Sequence, residues 1–446
     1  MPRTPPVTRA RWFWVILFLL LLVPTGLRIV HTARPYVVPP FVNPGYFDLR
    51  IFLDQVRTYD QTGELYATGN PDFFDPGSAV YKYPPTFAAL LHPFAALRWR
   101  VAVRTLLVIN FAILLVGLAG LLAVLRPGWR RGLLLALVFL HWGAFWESLA
   151  GMQLEPLLLL LLIGSLGCLR GGRHFWAGFA VGVAAALKVY PAGLIAYFAL
   201  RRRWTAVAGM AAGGAAALGA ASVALSMRPT VEYLTRILPK LGGTSLGWDN
   251  ISWVGSLGRL LVLGFAGPAR LQELTRAVPR GMLETGAVGG VHATTIILAG
   301  STAALLVFLT ARALRRPPAI GAALAPAARE SLGYGAALCL LLFLMPTSWP
   351  DYQTLLILPL AIAIAAAPDP RRDALSWLLI AAAAVAGAST VHGEVFTQHP
   401  FLATVLRGWI PLAIWWAIVR RRGKLTPGAA ASAASAPESG PLPAGA

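Results

Sequence analysis

Apolar residues follow one another in long unbroken runs along most of the chain, as at 12–23, 106–125 and 204–225. None of these runs alternates with a period of two, so they predict helices and not the strands of a transmembrane barrel. Together the runs predict crossings at about 11–30, 101–126, 131–149, 153–170, 175–188, 190–200, 204–226, 290–311, 330–345, 353–366, 374–390 and 403–420. That is roughly twelve helices in an all-α polytopic membrane protein. The segments on either side of Lys188 fall short of the roughly 20 residues a full crossing needs, and are expected to be broken or tilted helices lining a cavity. Two more apolar stretches, 86–97 and 254–265, are expected as non-crossing helices on the outer side.

Composition agrees with a membrane class: of 446 residues, 57% are hydrophobic and only 13% charged. The net charge of +20 does not point to nucleic acid, because the arginines cluster beside apolar segments at 126–131, 170–173, 201–203, 312–316 and 420–424. Such clusters mark cytoplasmic flanks. With every cluster inside, both termini are cytoplasmic and the outer loops fall at about 31–100 and 227–290, as expected of a multi-pass plasma-membrane protein. Segment 11–30 has a basic flank but no clear small-residue cleavage site, and reads as a retained first helix. The membrane domain then covers 1–425, and the Ala-, Pro-, Ser- and Gly-rich stretch 426–446 is expected to be a disordered cytoplasmic tail. Cys168 and Cys339 sit inside apolar runs and indicate neither a disulfide framework nor a metal cluster. No cofactor or metal site is legible, since the outer acids are dispersed in sequence.

Candidate chemistry gathers on the outer side, which holds Lys82, Lys188 and Lys240, three of the four lysines. In the stretch from Asp48 to Tyr59 the pattern changes to an amphipathic helix, with Leu49, Phe52, Leu53 and Val56 at i, i+3, i+4 and i+7, as for a helix lying on the membrane surface. At about 100° per residue Asp54 projects away from this stripe, between Arg50 and Arg57, as a solvated ion-paired acid. Asp48 projects near the stripe's edge in the first turn, where a carboxylate serves equally well as a helix cap or as a group facing a cavity.

The segments "DLRIF" at 48–52, "GELY" at 63–66 and "YKYPPTFAALLHPFAAL" at 81–97 resemble the start of the polyprenol-phosphate-mannose-dependent mannosyltransferases of the GT-C superfamily, glycosyltransferase family 87, which includes the phosphatidylinositol-mannoside mannosyltransferases. The resemblance continues through "GMQLEPLLLLLL" at 151–162, "AGFAVGVAAALKVYPAGLIAYFALRRRW" at 177–204 and "WDNISW" at 248–253. It departs at "PTSWPDYQ": where the family shows Ser-Trp, an acid and one or two histidines, this chain has Ser348, Trp349, Pro350, Asp351 and Tyr352.

The resemblance implies a GT-C-like bundle with outer juxtamembrane helices. It also implies transfer of a sugar, mannose by family default, from a polyprenyl-phosphate donor to a lipid or glycan acceptor hydroxyl, with inversion, on the extracytoplasmic face. It assigns the catalytic base to Asp48, one carboxylate sufficing for a single displacement. A cation must meet the leaving phosphate, and Lys188 in the family-like segment is the candidate. The rival reading of Lys188 is a lysine snorkelling from a helix end. His392 is the candidate to replace the missing phosphate-contacting histidine. Tyr83, Gln153, Asn250 and Asp351 are candidates to bond sugar or acceptor hydroxyls, Trp349 (with Trp248 and Trp253) to stack on sugar, and Tyr352 stands in the histidine's place; each also reads as structural, interfacial aromatics needing no ligand. A transporter or flippase of lipid-linked sugars, or a non-catalytic binder of them, would share the broken helices and intramembrane lysine.

Overall fold

The computed structural model describes residues 47–66, 80–241, 246, 250–276, 291–315, 326–367, 373–388 and 408–423. The expected first crossing at 11–30, the tail 426–446 and the residues Trp248 and His392 lie outside these. Among the described residues every regular element is helical. In chain order they are α1 (Phe47–Thr62), α2 (Pro85–Ala95), α3 (Trp99–Leu125), α4 (Trp129–His141), α5 (Gly143–Ala150), α6 (Glu155–Arg170), α7 (His174–Leu187), α8 (Leu194–Leu200), α9 (Trp204–Leu225), α10 (Arg228–Glu232), α11 (Trp253–Arg276), α12 (Val291–Arg315), α13 (Pro326–Leu344), α14 (Ile357–Ala366), α15 (Ala374–Ala388) and α16 (Ile410–Gly423), with 3₁₀ turns at Tyr190–Gly193 and Pro350–Leu356.

Among the described residues four helices are long and apolar enough to cross a membrane: α3, α9, α13 and the Thr294–Ala313 part of α12. A fifth crossing results if α4 and α5, bent by 49° at Trp142, count as one span. The other expected crossings in the described residues are shorter helices, such as α7 and α15, or the 3₁₀-plus-α segment Pro350–Ala366. Val108, Leu115 and Val116 of α3 stay exposed, as lipid-facing side chains do.

The stripe of α1 is buried in protein rather than laid on a membrane surface. Leu49, Phe52, Leu53 and Val56 are each at most 4% exposed, and Phe52 meets the rings of Tyr83 and Phe87 at 5.0 and 5.1 Å. Arg57 fastens the two helices by donating to the carbonyls of Ala95 and Leu97 at the end of α2. On the opposite face Asp54 pairs with Arg50 at 3.5 Å and Arg57 at 3.0 Å.

The tightest seam runs between α7 and α9. Gly178 and Gly182 face Gly209 and Gly213, and a methyl group at any of the four would run into a backbone carbonyl of the other helix. Small residues at this spacing let two helices meet main chain to main chain. Arginines hold the ends of the bundle away from the site: Arg203 bonds Glu330 at 2.5 Å, Arg170 bonds Ser331 at 2.8 Å, and Arg131 donates to the carbonyls of Ala365 and Ala367 at 2.8 and 2.7 Å. Gly182→Val is expected to lower stability by roughly 1–3 kcal/mol through overpacking. Gly219→Ala, where an added methyl meets open space, is expected to change little; thermal unfolding of both in detergent is the check.

Candidate functional site

The chain turns sharply between α5 and α6, with Met152 in the left-handed region at φ 52°. A methionine there is uncommon, and the turn sets Gln153 in place. The Gln153 N–H donates to the Ser148 carbonyl at 2.8 Å. Pro156 then starts α6 and leaves Glu155 in the first turn, fully buried. Helix α6 runs away to its basic end at Arg170, and α7 returns to finish at Lys188, whose backbone is extended (φ −151°). The acid at the start of one helix and the lysine at the end of the next therefore meet, each at the helix terminus that favours its charge.

The Lys188 ammonium donates to Glu155 Oε1 at 2.5 Å and lies 3.7 Å from Asp351 Oδ2. The face of Tyr352 lies 4.0 Å from it, with Tyr83 at 5.2 Å and Tyr190 at 5.9 Å. Such an aromatic lining stabilises a desolvated cation. Tyr190 stacks on Tyr352 with ring centroids 5.0 Å apart. The 3₁₀ turn that carries Asp351 and Tyr352 is tied to α5: Ser148 Oγ shares a hydrogen bond with Thr354 Oγ1 at 2.7 Å and reaches the Asp351 carbonyl at 3.3 Å, and the Trp142 indole donates to the Gln353 carbonyl at 2.8 Å.

Asp48 joins the cluster from α1. Gln153 Nε2 donates to its Oδ2 at 2.6 Å, while Tyr83 OH donates to Gln153 Oε1 at 3.2 Å. Hydrogen bonds thus link Asp48 through Gln153 to the Tyr83 hydroxyl, and the Tyr83 ring faces the Lys188 ammonium. Burial pushes the Asp48 carboxyl above the usual carboxylate range; the Lys188 charge and the Gln153 hydrogen bond pull it back, and Glu155 adds to the rise. Among the described residues no three His, Cys, Asp or Glu side chains converge as a metal site requires.

Seven other expected residues divide by place. Tyr83, Gln153, Asp351 and Tyr352 stand in this cluster with Asp48 and Lys188. Asn250 stands apart, fully buried, where its Oδ1 accepts from the N–H groups of Ser252 and Ser348 at 3.1 and 3.0 Å. It staples the loop before α11 to the segment leading into the 3₁₀ turn. Trp349 precedes that turn, and its carbonyl accepts from the Tyr352 N–H at 3.1 Å. His392 lies outside the described residues. Glu155 is the group that the sequence reading passes over, although "QLEPLL" carries a signal: a lone acid opening an apolar helix needs a cationic partner, and Lys188 is the nearest intramembrane one.

The sequence profile described as Glycosyltransferase family 87 matches residues 81–328, more than half of the chain. This chain belongs to glycosyltransferase family 87. The family match includes Tyr83, Gln153, Glu155 and Lys188, and leaves Asp48, Asp351 and Tyr352 outside it. The chain is also similar to a polyprenol-phosphate-mannose-dependent alpha-(1-2)-phosphatidylinositol pentamannoside mannosyltransferase of Mycolicibacterium smegmatis, 29% identical over 282 residues. That similarity covers 59% of this chain and 64% of the relative, a little under two thirds of the relative's length. No solved structure matches the chain significantly.

Removing the ammonium alone strands a buried carboxylate, which costs roughly 3–5 kcal/mol. Lys188→Met is therefore expected to unfold well below the wild type. The neutral pair Glu155→Gln with Lys188→Gln is expected to recover most of the loss, as read by thermal unfolding in detergent.

Proposed function

We propose that the protein is a membrane hexosyltransferase that moves a sugar, mannose by likeness to the mycobacterial relative, from a polyprenyl phosphate to a hydroxyl of a lipid or glycan acceptor. The reaction takes place at the extracytoplasmic face of the plasma membrane and inverts the anomeric carbon. The observation that carries this reading is the hydrogen-bonded connection of Asp48 to Lys188's surroundings through Gln153 and Tyr83. It brings a carboxylate and a cation to one site, as a single displacement requires.

In that displacement the Asp48 carboxylate takes the acceptor hydroxyl proton as the acceptor oxygen bonds to the anomeric carbon. The bond from that carbon to the phosphate oxygen breaks, and its electron pair leaves with the prenyl phosphate. Charge grows on the phosphate as the bond breaks, so an ammonium beside it lowers the barrier more than it tightens the ground state. Gln153 orients the base, and the raised proton affinity of Asp48 brings it nearer to that of a useful general base.

Asp48→Asn is expected to cut turnover of a radiolabelled polyprenyl-phosphate mannose by about 10²–10⁴-fold, with the protein still folded. Equal release of sugar by wild type and variant would leave a lipid-linked-sugar binder or flippase as the better reading. The pH profile supplies a second check. A carboxylate with a raised pKa loses its base form as pH falls through that higher value, so the acid limb of kcat/KM should lie above the range of an ordinary aspartate. Gln153 favours the charged form by its hydrogen bond, so Gln153→Leu is expected to move the limb to higher pH still.

A further inference from the structure

Two carboxylates, those of Glu155 and Asp351, lie against the Lys188 ammonium, and a third, Asp48, stands beyond Gln153 within reach of its charge. A prenyl phosphate brought to Lys188 adds a further anion, and like charges in a partly desolvated site oppose its entry. One carboxylate has to yield, and the three are held very differently. Asp48 is fixed by Gln153 at 2.6 Å. Glu155 is wholly buried in the first turn of α6, bonds the ammonium at 2.5 Å, and has no solvent to turn towards. Asp351 is held least by its neighbours: its side chain keeps 15% exposure, its Oδ2 stands 3.7 Å from the ammonium, beyond hydrogen-bond range, and its hydrogen bond is to its own backbone N–H. Its carbonyl accepts from Ser148, and the turn around it is closed by the Tyr352 N–H bond to Trp349, so the carboxylate can swing without unmaking the turn.

We propose that Asp351 is an exchangeable counter-ion of Lys188: it guards the ammonium in the empty site and gives way to the donor phosphate, while Glu155 remains as the resident partner. Asp351 thereby positions Lys188 and tunes its affinity for anions, without contacting the reacting carbon. This rests on the reading of Lys188 as the cation that meets the donor phosphate. It makes Asp351 a residue that restrains donor binding, the reverse of a hydrogen-bonding contact to sugar.

The test measures binding of farnesyl phosphate, with farnesol as the uncharged control, to the full chain in lipid nanodiscs. Asp351→Asn is expected to lower the farnesyl phosphate Kd by about tenfold, the scale of one like-charge contact screened almost as in water, and to leave farnesol binding alone. Asp351→Glu, which restores the charge, should bind like the wild type. In the neutral-pair background, Glu155→Gln with Lys188→Gln, the gain from Asp351→Asn should vanish, because the exchange acts through the ammonium. Weaker or unchanged binding by Asp351→Asn, confirmed with Asp351→Ser in folded protein, overturns the proposal and leaves the phosphate reading of Lys188 standing. A gain that persists undiminished in the neutral-pair background overturns it too, pointing to diffuse repulsion. If the neutral pair binds farnesyl phosphate as well as the wild type does, the phosphate reading of Lys188 fails and the proposal falls with it.

Discussion

A buried ammonium has to be matched by a buried carboxylate, and the pairing of Lys188 with Glu155 is the constraint on which the site depends. It closes the α6–α7 hairpin at one end and requires the start of one helix and the finish of the next to lie together. Once the ammonium is fixed, the rings of Tyr83, Tyr190 and Tyr352 have a cation to cover, and the 3₁₀ turn after Trp349 has a place to dock. Asp48, which is distant in sequence, is tied to the same cluster through the side chains of Gln153 and Tyr83.

The two ends of the bundle divide the labour of charge. At one end arginines saturate helix-terminal carbonyls and enclose Glu330, whose carboxylate accepts from Arg203 and from the Tyr197 hydroxyl. Cations there outnumber anions and every guanidinium described above has an acceptor. At the site the ratio is reversed, with more carboxylates than ammonium groups. The excess of carboxylates there leaves Lys188 as the one cation of the described cluster that an incoming anion can meet.

Much of the fold is written in the chain as unbroken apolar runs, and the described helices follow those runs closely, from α3 at Trp99–Leu125 to α16 at Ile410–Gly423. The separation of Asp54 from Asp48 is also legible, because helical geometry alone sends Asp54 towards Arg50 and Arg57. What the α1 stripe packs against is not, since an apolar face looks the same whether lipid or Phe87 covers it. Glu155 and Asn250 show the other limit. One owes its role to a lysine 33 positions on and the other to backbone groups 98 positions on. Pairings at such separations are set by tertiary packing, which no local pattern encodes.

The glycine seam between α7 and α9 reaches further than helix packing. Contacts made by main chain have no rotamers to relax into, so α7 and α9 are joined as one stiff pair. A bilayer of different thickness then meets α7 and α9 as a unit to be tilted whole, and the height of the ammonium relative to the acids is left to its bond with Glu155.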